Sequence, residues 1–383
     1  MIASPRTPLR LRRTVLVVGL VVSAAGAVAL GATAWRCSDL ILRPERPPSL
    51  REQRVLTLEP GRVRLSRDRE SLQAGSWALE WKGGFGRVGP VLAANGAGVV
   101  REFRPVVGVP PVGGWASLRG VSRSADPLSM LGLRFDAVAF DGPLGRYPAW
   151  LVPGPDSTWV VYVHGRGTTR AEGLRTLGVL APRGLPGLLM TYRNDPGAPA
   201  SPDGCYHLGS TEWEDLEAAV RYALGHGARD VVLSGYSMGG QIAMQFMSRS
   251  RLATRVRAVV MESPVLDWNA TLRHRARGLG VSAFGIWLGK RAATARAGID
   301  WGRLDRVAHH ERLTAPVLLF HAVNDDRSPA WVSEAFARAL PGQTTLVLVP
   351  GGNHVEAWNA DPARYATAVN QWFSARRIGR DAP

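Results

Sequence analysis

The chain has 383 residues and a mass of 41.3 kDa, which is enough to bury a sizeable core and to form two or three domains. Hydrophobic residues make up 45% of it and charged residues 20%, which excludes a disordered or collagen-like chain, and the mean hydropathy of −0.05 excludes a protein with many membrane spans. The net charge of +16 suggests a nucleic-acid partner, but the arginines are scattered. Because the sequence also lacks a zinc finger, an RNA-recognition signature and a basic zipper, we predict no nucleic-acid binding.

The amino terminus combines a basic start with a long uncharged segment. Residues 1–13 contain four arginines and no acidic residue, and residues 15–34 carry no charge at all. As a helix, residues 15–34 would be about 30 Å long, enough to cross the hydrocarbon core of a membrane. We therefore interpret residues 1–14 as a cytoplasmic basic tail and residues 15–34 as a transmembrane anchor. The alternative is a cleaved signal peptide, because residues 32–34 resemble a small-residue cleavage site.

Both interpretations place most of the chain outside the cytoplasm. The predicted localisation is a membrane-anchored protein with its main domain outside the cytoplasm, or a secreted protein after signal cleavage. Three prolines in residues 35–53 predict that this segment is a stiff, extended tether. The two cysteines, Cys37 and Cys205, are too few for a disulfide framework, and the sequence leaves open whether they bridge.

Residues 54–130 predict a small β-rich region. Short apolar runs are separated there by glycine and proline, a pattern typical of short strands and hairpins. Residues 84–89 match the spacing of a dinucleotide-binding glycine loop, but Pro90 and another strand-like run follow, where that fingerprint requires a helix. We interpret residues 84–89 as a glycine-rich turn and predict no bound cofactor.

Residues 131–377 predict an α/β domain, because apolar β-rich runs alternate there with helical ones. We expect a mostly parallel, doubly wound sheet with helices on both faces. The first two β-rich runs indicate an antiparallel edge hairpin, and the later runs indicate successive crossover units. The predicted strands lie in LRFDAVAFDGP, RYPAWLVP, TWVVYVHG, GLLMTYRND, DVVLSGYS, VRAVVMESP, APVLLFHAVND and TTLVLVPG.

The strongest chemical signal is the pentapeptide GYSMG at residues 235–239, which has the G-x-S-x-G pattern of a nucleophile elbow. It follows a strand-like run and precedes a helical one, as the elbow requires. The glycines are needed because Ser237 would lie on a tight strand-to-helix turn, where flanking side chains collide with backbone. A glycine-rich turn with an incidental serine is the alternative, but it does not account for the strand and helix on either side.

A serine nucleophile needs a base, and that base needs an acid to orient it. His354 is the best candidate base, since it lies just past the last predicted strand and before a helix. Asp325 or Asp326 follows the strand APVLLF, at the carboxyl edge of the predicted sheet. The chain order serine, aspartate, histidine is typical of enzymes in which the nucleophile lies on a G-x-S-x-G elbow. No two histidines show a metal-ligand spacing, so we predict no metal site.

These motifs resemble the α/β-hydrolase family over residues 135–375. The resemblance implies the α/β-hydrolase fold and assigns the acid to Asp325 in preference to Asp326. It also implies an oxyanion hole formed by the backbone N–H groups of Met238 and Arg166. The residues that carry the resemblance are His164-Gly165, the GYSMG elbow, HAVNDDRSP around the acid and GGNH at the base.

Residues 268–306 lie where members of that family commonly place a cap over the substrate. The segment is rich in arginine and carries large apolar residues, a composition compatible with contact with anionic lipid or entry of an acidic substrate. The general excess of arginine in the chain favours the alternative, a solvated helical hairpin with arginine on its outer face.

The predicted function is that of a serine hydrolase that cleaves an acyl bond, foremost a carboxylic ester, through Ser237, Asp325 and His354 and an acyl-enzyme. The predicted partners are a small-molecule or lipid-like acyl substrate and, through the amino-terminal segment, a membrane. A peptidase, a thioesterase or an acyltransferase on the same triad is an alternative. A catalytically silent protein that uses this fold for binding is another.

Overall fold

The computed structural model describes residues 28–43, 50–96, 98–310 and 313–380. In these ranges the chain forms a helix near the amino terminus, a small β-barrel, and an α/β domain with an eight-stranded sheet. The barrel strands are β1 (Gln53–Glu59), β2 (Arg62–Ser66), β3 (Trp77–Trp81), β4 (Gly84–Asn95), β5 (Gly98–Val107) and β6 (Trp115–Arg119).

The barrel closes in the order β1-β2-β5-β4-β3-β6, with β6 returning to pair antiparallel with β1. Closure matters because it removes the free strand edges that an open sheet of this size would expose. The interior is filled by apolar side chains: Val63 and Phe103 alternate with more exposed neighbours along β2 and β5, and Trp77 lies in β3, in which every residue is buried. A β-rich region therefore precedes the α/β domain, as predicted.

The interpretation of residues 84–89 as a turn was wrong, because they form the first half of β4 and pair with β3. The glycines there make room for the barrel interior. A Cβ added at Gly86 would lie 2.5 Å from the ring of Phe103, and one at Gly84 would lie 2.1 Å from the carbonyl oxygen of Val107. Close approach of neighbouring strands accounts for the glycine-rich sequence.

The eight predicted β-rich runs of the α/β domain each form one strand of a single sheet, in the order β7-β8-β10-β9-β11-β12-β13-β14. Neighbouring strands pair in parallel, except that β8 runs antiparallel to both β7 and β10. Every residue of β9, β10 and β13 is buried, as expected for strands covered on both faces. The strands are β7 (Asp136–Gly142), β8 (Gly145–Val152), β9 (Thr158–Val163), β10 (Gly187–Met190), β11 (Asp230–Tyr236), β12 (Val256–Glu262), β13 (Val317–Ala322) and β14 (Thr344–Val349).

Helices cover both faces of this sheet. Apolar residues of α4, α5 and α8 pack on one face, and those of α3 and α10 pack on the other. Helices α6 and α7 occupy the predicted cap segment. The helices are α1 (residues 28–42), α2 (Pro127–Leu131), α3 (Leu174–Leu180), α4 (Glu212–Gly225), α5 (Met238–Arg249), α6 (Trp268–Gly278), α7 (Ala283–Ala297), α8 (Ala330–Ala339), α9 (Ala357–Ala360) and α10 (Pro362–Ala375).

The prediction of an extended tether over residues 35–53 was wrong for its first part, because residues 35–42 are helical and docked on the α/β domain. Ile41 and Leu42 are buried in the core of that domain. The backbone N–H of Tyr206 donates to the carbonyl oxygen of Leu42 at 2.7 Å. The prolines that suggested an extended chain begin only at residue 44, so they do not oppose a helix before it.

Most of the predicted transmembrane segment, residues 15–27, lies outside the described residues. The remainder, residues 28–34, forms the first turns of α1. Within the part of the chain that the structure describes, no helix has the length and apolar character needed to cross a membrane.

Asn359, in α9, joins the barrel to the α/β domain. Its side chain is fully buried, and its amide nitrogen donates to the carbonyl oxygens of Ser76 and Gly120, each at 2.8 Å. Its amide oxygen accepts a hydrogen bond from Arg175 at 2.8 Å. Because Arg175 also donates to the carbonyl oxygen of Val355, this junction lies directly beneath the loop that contains His354.

Candidate active site

Ser237 lies on the sharp turn between β11 and α5. Its backbone has φ +50° and ψ −115°, a strained conformation for a residue with a side chain. The flanking glycines are required by close backbone approach. A Cβ added at Gly239 would lie 1.9 Å from the carbonyl oxygen of Val163 in β9, and one at Gly235 would lie 2.7 Å from the carbonyl oxygen of Gly239. Packing of α5 against the sheet therefore fixes the turn that presents the Ser237 hydroxyl.

The structure brings together the three side chains predicted as nucleophile, base and acid. His354 lies in the loop between β14 and α9, and its Nε2 is 2.8 Å from the hydroxyl oxygen of Ser237. Its Nδ1 is 2.8 Å and 3.0 Å from the two carboxylate oxygens of Asp325. One imidazole thus joins the serine hydroxyl to a carboxylate through its two ring nitrogens.

Asp325 is buried, with 4% of its surface exposed, and its carboxylate is fully engaged. One oxygen accepts the backbone N–H groups of Arg327 and Ser328 at 2.9 Å and 2.8 Å, and the other lies 3.3 Å from Nε2 of His321. Burial alone would raise the pKa of the Asp325 carboxyl, but the neighbouring His354 and His321 outweigh burial and hold that pKa well below its usual range. The carboxylate therefore stays ionised beside His354.

Asp326, the alternative acid, is exposed. Its backbone N–H donates to the side-chain oxygen of Asn353 at 2.9 Å, and the N–H of His354 donates to the same oxygen at 2.9 Å. Asn353 thereby links the loop of the acid to the loop of the base. Of the two aspartates, Asp325 is the one whose carboxylate meets the imidazole.

The residues predicted as the oxyanion hole both lie close to the serine, Met238 as the next residue in the chain and Arg166 in the loop after β9. Met238 is the first residue of α5, and amides of a first helical turn have no partner within the helix. The loop that carries Arg166 passes directly against the nucleophile, because a Cβ added at Gly165 would lie 3.0 Å from the Cβ of Ser237. The N–H of Gly165 itself donates to the carboxylate of Glu172 at 2.7 Å, which fixes the orientation of this loop.

This loop is also held from outside the α/β domain, which sequence reasoning missed. The guanidinium of Arg166 donates to the carbonyl oxygens of Leu40 and Arg43, at the end of α1, at 3.0 Å and 2.9 Å. The guanidinium of Arg123, in the segment that follows the barrel, donates to the carbonyl oxygen of Gly167 at 2.7 Å. No local motif marks these contacts, because the partners are far apart in sequence.

His164, one of the residues that carry the resemblance, is fully buried next to the loop that contains Arg166, and all its contacts are with other residues of the protein. Its Nε2 lies 2.7 Å from a carboxylate oxygen of Asp195, and its ring stacks on Tyr192 with centroids 4.4 Å apart. Burial lowers the pKa of His164, but the Asp195 carboxylate more than offsets this, so the pKa lies above its ordinary value. Its Nδ1, 2.8 Å from the carbonyl oxygen of Gly165, holds the start of the loop.

A cavity of about 340 Å³ opens over Ser237 and His354. Its walls come from the segment after the barrel, the loop after β9, helix α6 and the loops of the acid and the base. Arginine is prominent in this wall: the lining residues include Arg119, Arg123, Arg166, Arg175, Arg275 and Arg327.

Within the described ranges the structure shows neither a cluster of metal-ligating side chains nor a disulfide bond. No group of three or more His, Cys, Asp and Glu side chains there is positioned to hold a metal ion. The thiols of Cys37 and Cys205 are both free, the first half-buried and the second buried.

The eight-stranded sheet and the strand-turn-helix arrangement around Ser237 are those of the α/β-hydrolase fold. Residues 202–376 match a family model described as the prolyl oligopeptidase family. The match covers less than half of the chain. Residues 54–119, which include most of the barrel, match a domain of unknown function, DUF8805.

Solved structures with a similar fold include the esterase Pf2001 of Pyrococcus furiosus. It is 15% identical in sequence, with a TM-score of 0.54 over 67% of this chain and 95% of that chain. An esterase of Thermogutta terrifontis is 19% identical, with a TM-score of 0.47 over 63% of this chain and 99% of that chain. At such identities the likeness is one of fold. No curated protein has a sequence that matches this chain significantly.

Proposed function

We propose that the protein is a serine esterase in which Ser237, His354 and Asp325 form the catalytic triad. The observation that carries this proposal is the continuous line of hydrogen-bond contacts from the buried carboxylate through the imidazole to the serine hydroxyl. A hydroxyl is a weak nucleophile until a base accepts its proton, and His354 lies within reach of that proton. Asp325 holds the imidazole in the required tautomer and stabilises the imidazolium that forms.

In the proposed reaction, the Ser237 oxygen attacks the acyl carbonyl while its proton passes to Nε2 of His354. The carbonyl oxygen becomes negatively charged, and the backbone N–H groups of Met238 and Arg166 stabilise it. The C–O bond to the alcohol then breaks, and the alcohol leaves with the proton from His354. Water repeats the sequence on the acyl-enzyme and releases the acid. Each oxyanion donor of this kind contributes about 3–4 kcal/mol to transition-state stabilisation.

An ester is the favoured substrate, and a peptide is the second candidate. The esterase name of the Pyrococcus furiosus structure, which shares the fold, supports the first, and the match of residues 202–376 to the prolyl oligopeptidase family supports the second. The cavity admits a small acyl compound, and helix α6 of the proposed cap, residues 268–306, contributes Trp268 and Thr271 to its wall.

Hydrolysis of a matched ester and amide tests the choice. We expect kcat/KM for 4-nitrophenyl butyrate to exceed that for butyryl 4-nitroanilide by roughly 100-fold or more. We also expect a fluorophosphonate probe to label the folded protein covalently. A ratio near one, together with cleavage of peptides, would favour the peptidase. Absence of labelling in folded protein would favour a binding protein without catalysis.

We also propose that residues 15–34 anchor the protein in a membrane, with the α/β domain outside the cytoplasm. The absence of charge in this segment and the arginines before it support the proposal. Fractionation of intact cells, followed by amino-terminal sequencing, is expected to recover the uncleaved chain with the membranes. A soluble mature chain that begins near Trp35 would instead establish secretion after signal cleavage.

A further inference from the structure

We propose that the substrate carries a negatively charged group, a carboxylate or a phosphate, and that Arg123 and Arg327 recognise it. This inference deepens the proposed esterase function and rests on it. Six of the 21 residues that line the cavity over Ser237 are arginine. In the whole chain arginine accounts for about one residue in eight, because only Lys82 and Lys290 of the 47 basic residues are lysine. The excess of arginine at the cavity is therefore more than a reflection of composition.

The acidic residues of the cavity wall offset little of this charge. Glu172 accepts the N–H of Gly165 and lies 3.8 Å from Arg175, so its carboxylate is committed within the protein. Glu356 is half-buried, and desolvation of its carboxyl raises the pKa to about 7, so its negative charge is only partial near pH 7. Asp326 is the exposed acid of the wall. The field in the cavity is therefore positive.

The arginines of the wall differ in what they contact. Arg119 pairs with Glu52 at 3.0 Å, and Arg175 is buried beside Glu172, so carboxylates of the protein balance both. Arg123 is half-buried, and its hydrogen bond to the carbonyl oxygen of Gly167 orders its guanidinium without cancelling its charge. Arg327 is exposed, and its backbone N–H donates to Asp325. These two side chains therefore combine a position at the cavity with a charge that a substrate can balance.

Arg123 and Arg327 lie in two different segments of the cavity wall. Arg123 contacts the loop that passes 3.0 Å from the Cβ of Ser237, measured from a Cβ added at Gly165. Arg327 lies two residues after Asp325, in the loop of the acid. A guanidinium offers paired N–H donors that match the oxygens of a carboxylate or a phosphate, and such charge-assisted hydrogen bonds are stronger than neutral ones. An acyl chain that ends in an anion would thus be held across the cavity.

A matched pair of chromogenic esters tests the inference. The anionic member is the mono-4-nitrophenyl ester of adipic acid, and the neutral member is the same compound with its free carboxyl methylated. We expect kcat/KM of the full chain to be about 10- to 100-fold higher for the anionic ester at low salt. The preference should shrink as salt screens the charges. Competition by monomethyl adipate and by butyl phosphate distinguishes a carboxylate site from a phosphate site.

The variants Arg123→Gln and Arg327→Gln are each expected to lower the ratio of the two kcat/KM values by about 10-fold. Arg146→Gln is the matched control, because Arg146 is an exposed arginine at the start of β8, away from the cavity. It should leave the ratio unchanged. Circular dichroism verifies that each variant is folded. If Arg123→Gln does not fold, the effect of Arg327→Gln alone decides the test.

Equal kcat/KM values for the two esters, or a ratio that neither variant lowers, would overturn the anionic-substrate inference and leave the esterase proposal intact. Failure of the esterase proposal has a different signature. In that case neither ester is hydrolysed, and the fluorophosphonate probe does not label the folded protein. That result would remove both proposals.

Discussion

The Ser237→Ala variant should hydrolyse esters with a kcat lower by about 10⁴- to 10⁶-fold and should not react with a fluorophosphonate probe. The reason is chemical, because alanine removes the oxygen that lies 2.8 Å from Nε2 of His354. The fold should be retained, since alanine keeps the Cβ and adds no atom to the tight turn between β11 and α5. Steady-state kinetics on a chromogenic ester and probe labelling on a gel measure the two effects.

Ser124→Ala is the control for this variant. Ser124 is exposed and lies in the segment between the barrel and the α/β domain. Its replacement should leave kcat and labelling as in the unmodified protein. Persistent labelling of Ser237→Ala, at another residue, would show that the elbow serine is not the nucleophile.

The Asp325→Asn variant should lose about 10⁴-fold in kcat, because an amide in this position favours the wrong imidazole tautomer and cannot stabilise the imidazolium. Asp326→Asn is the matched control, one residue further on, and should change kcat by less than about threefold because it removes only an exposed charge. Steady-state kinetics of the two purified variants measure the difference. The reverse ranking would move the acid to Asp326.

Stability against pH gives a second readout for Asp325. Its pKa in the folded protein lies below the ordinary value, so the ionised carboxylate stabilises the fold at pH values above the unfolded pKa of about 3.9. This contribution is lost as the pH falls below that value. The difference in the free energy of unfolding between the unmodified protein and Asp325→Asn should therefore narrow below about pH 4, as measured by urea titration. A difference independent of pH would show that the carboxylate is not preferentially ionised in the folded state.

Local patterns were sufficient to predict the strands of the α/β domain, although not their order in the sheet. Strands that are covered on both faces require nearly continuous apolar runs, and each of the eight predicted runs forms one of β7–β14. The elbow is equally local, because its glycines, the strand before it and the helix after it are neighbours in the chain. Physical constraints that act within a few residues leave a readable pattern in the sequence.

Contacts between distant segments left no such pattern. Closure of the barrel depends on the pairing of β1 with β6, for example Gln53 opposite Ala116, and nothing in either strand identifies its partner. The helical form of residues 35–42 depends in the same way on Ile41 and Leu42 finding a place in the core of the α/β domain. There the burial of apolar side chains stabilises the helix, and the prolines, which begin only at residue 44, do not oppose it.

The amino-acid sequence by itself determined the chemical groups of the site, their order along the chain and the strand ends on which they lie. Only the tertiary structure decided which groups converge. It placed the carboxylate of Asp325 against His354, brought Arg123 to the loop beside the serine, and selected a few cavity arginines from a chain in which arginine occurs throughout. The physical reason is that backbone preference and periodic burial act along the chain, whereas a catalytic cavity forms where segments far apart in sequence pack together.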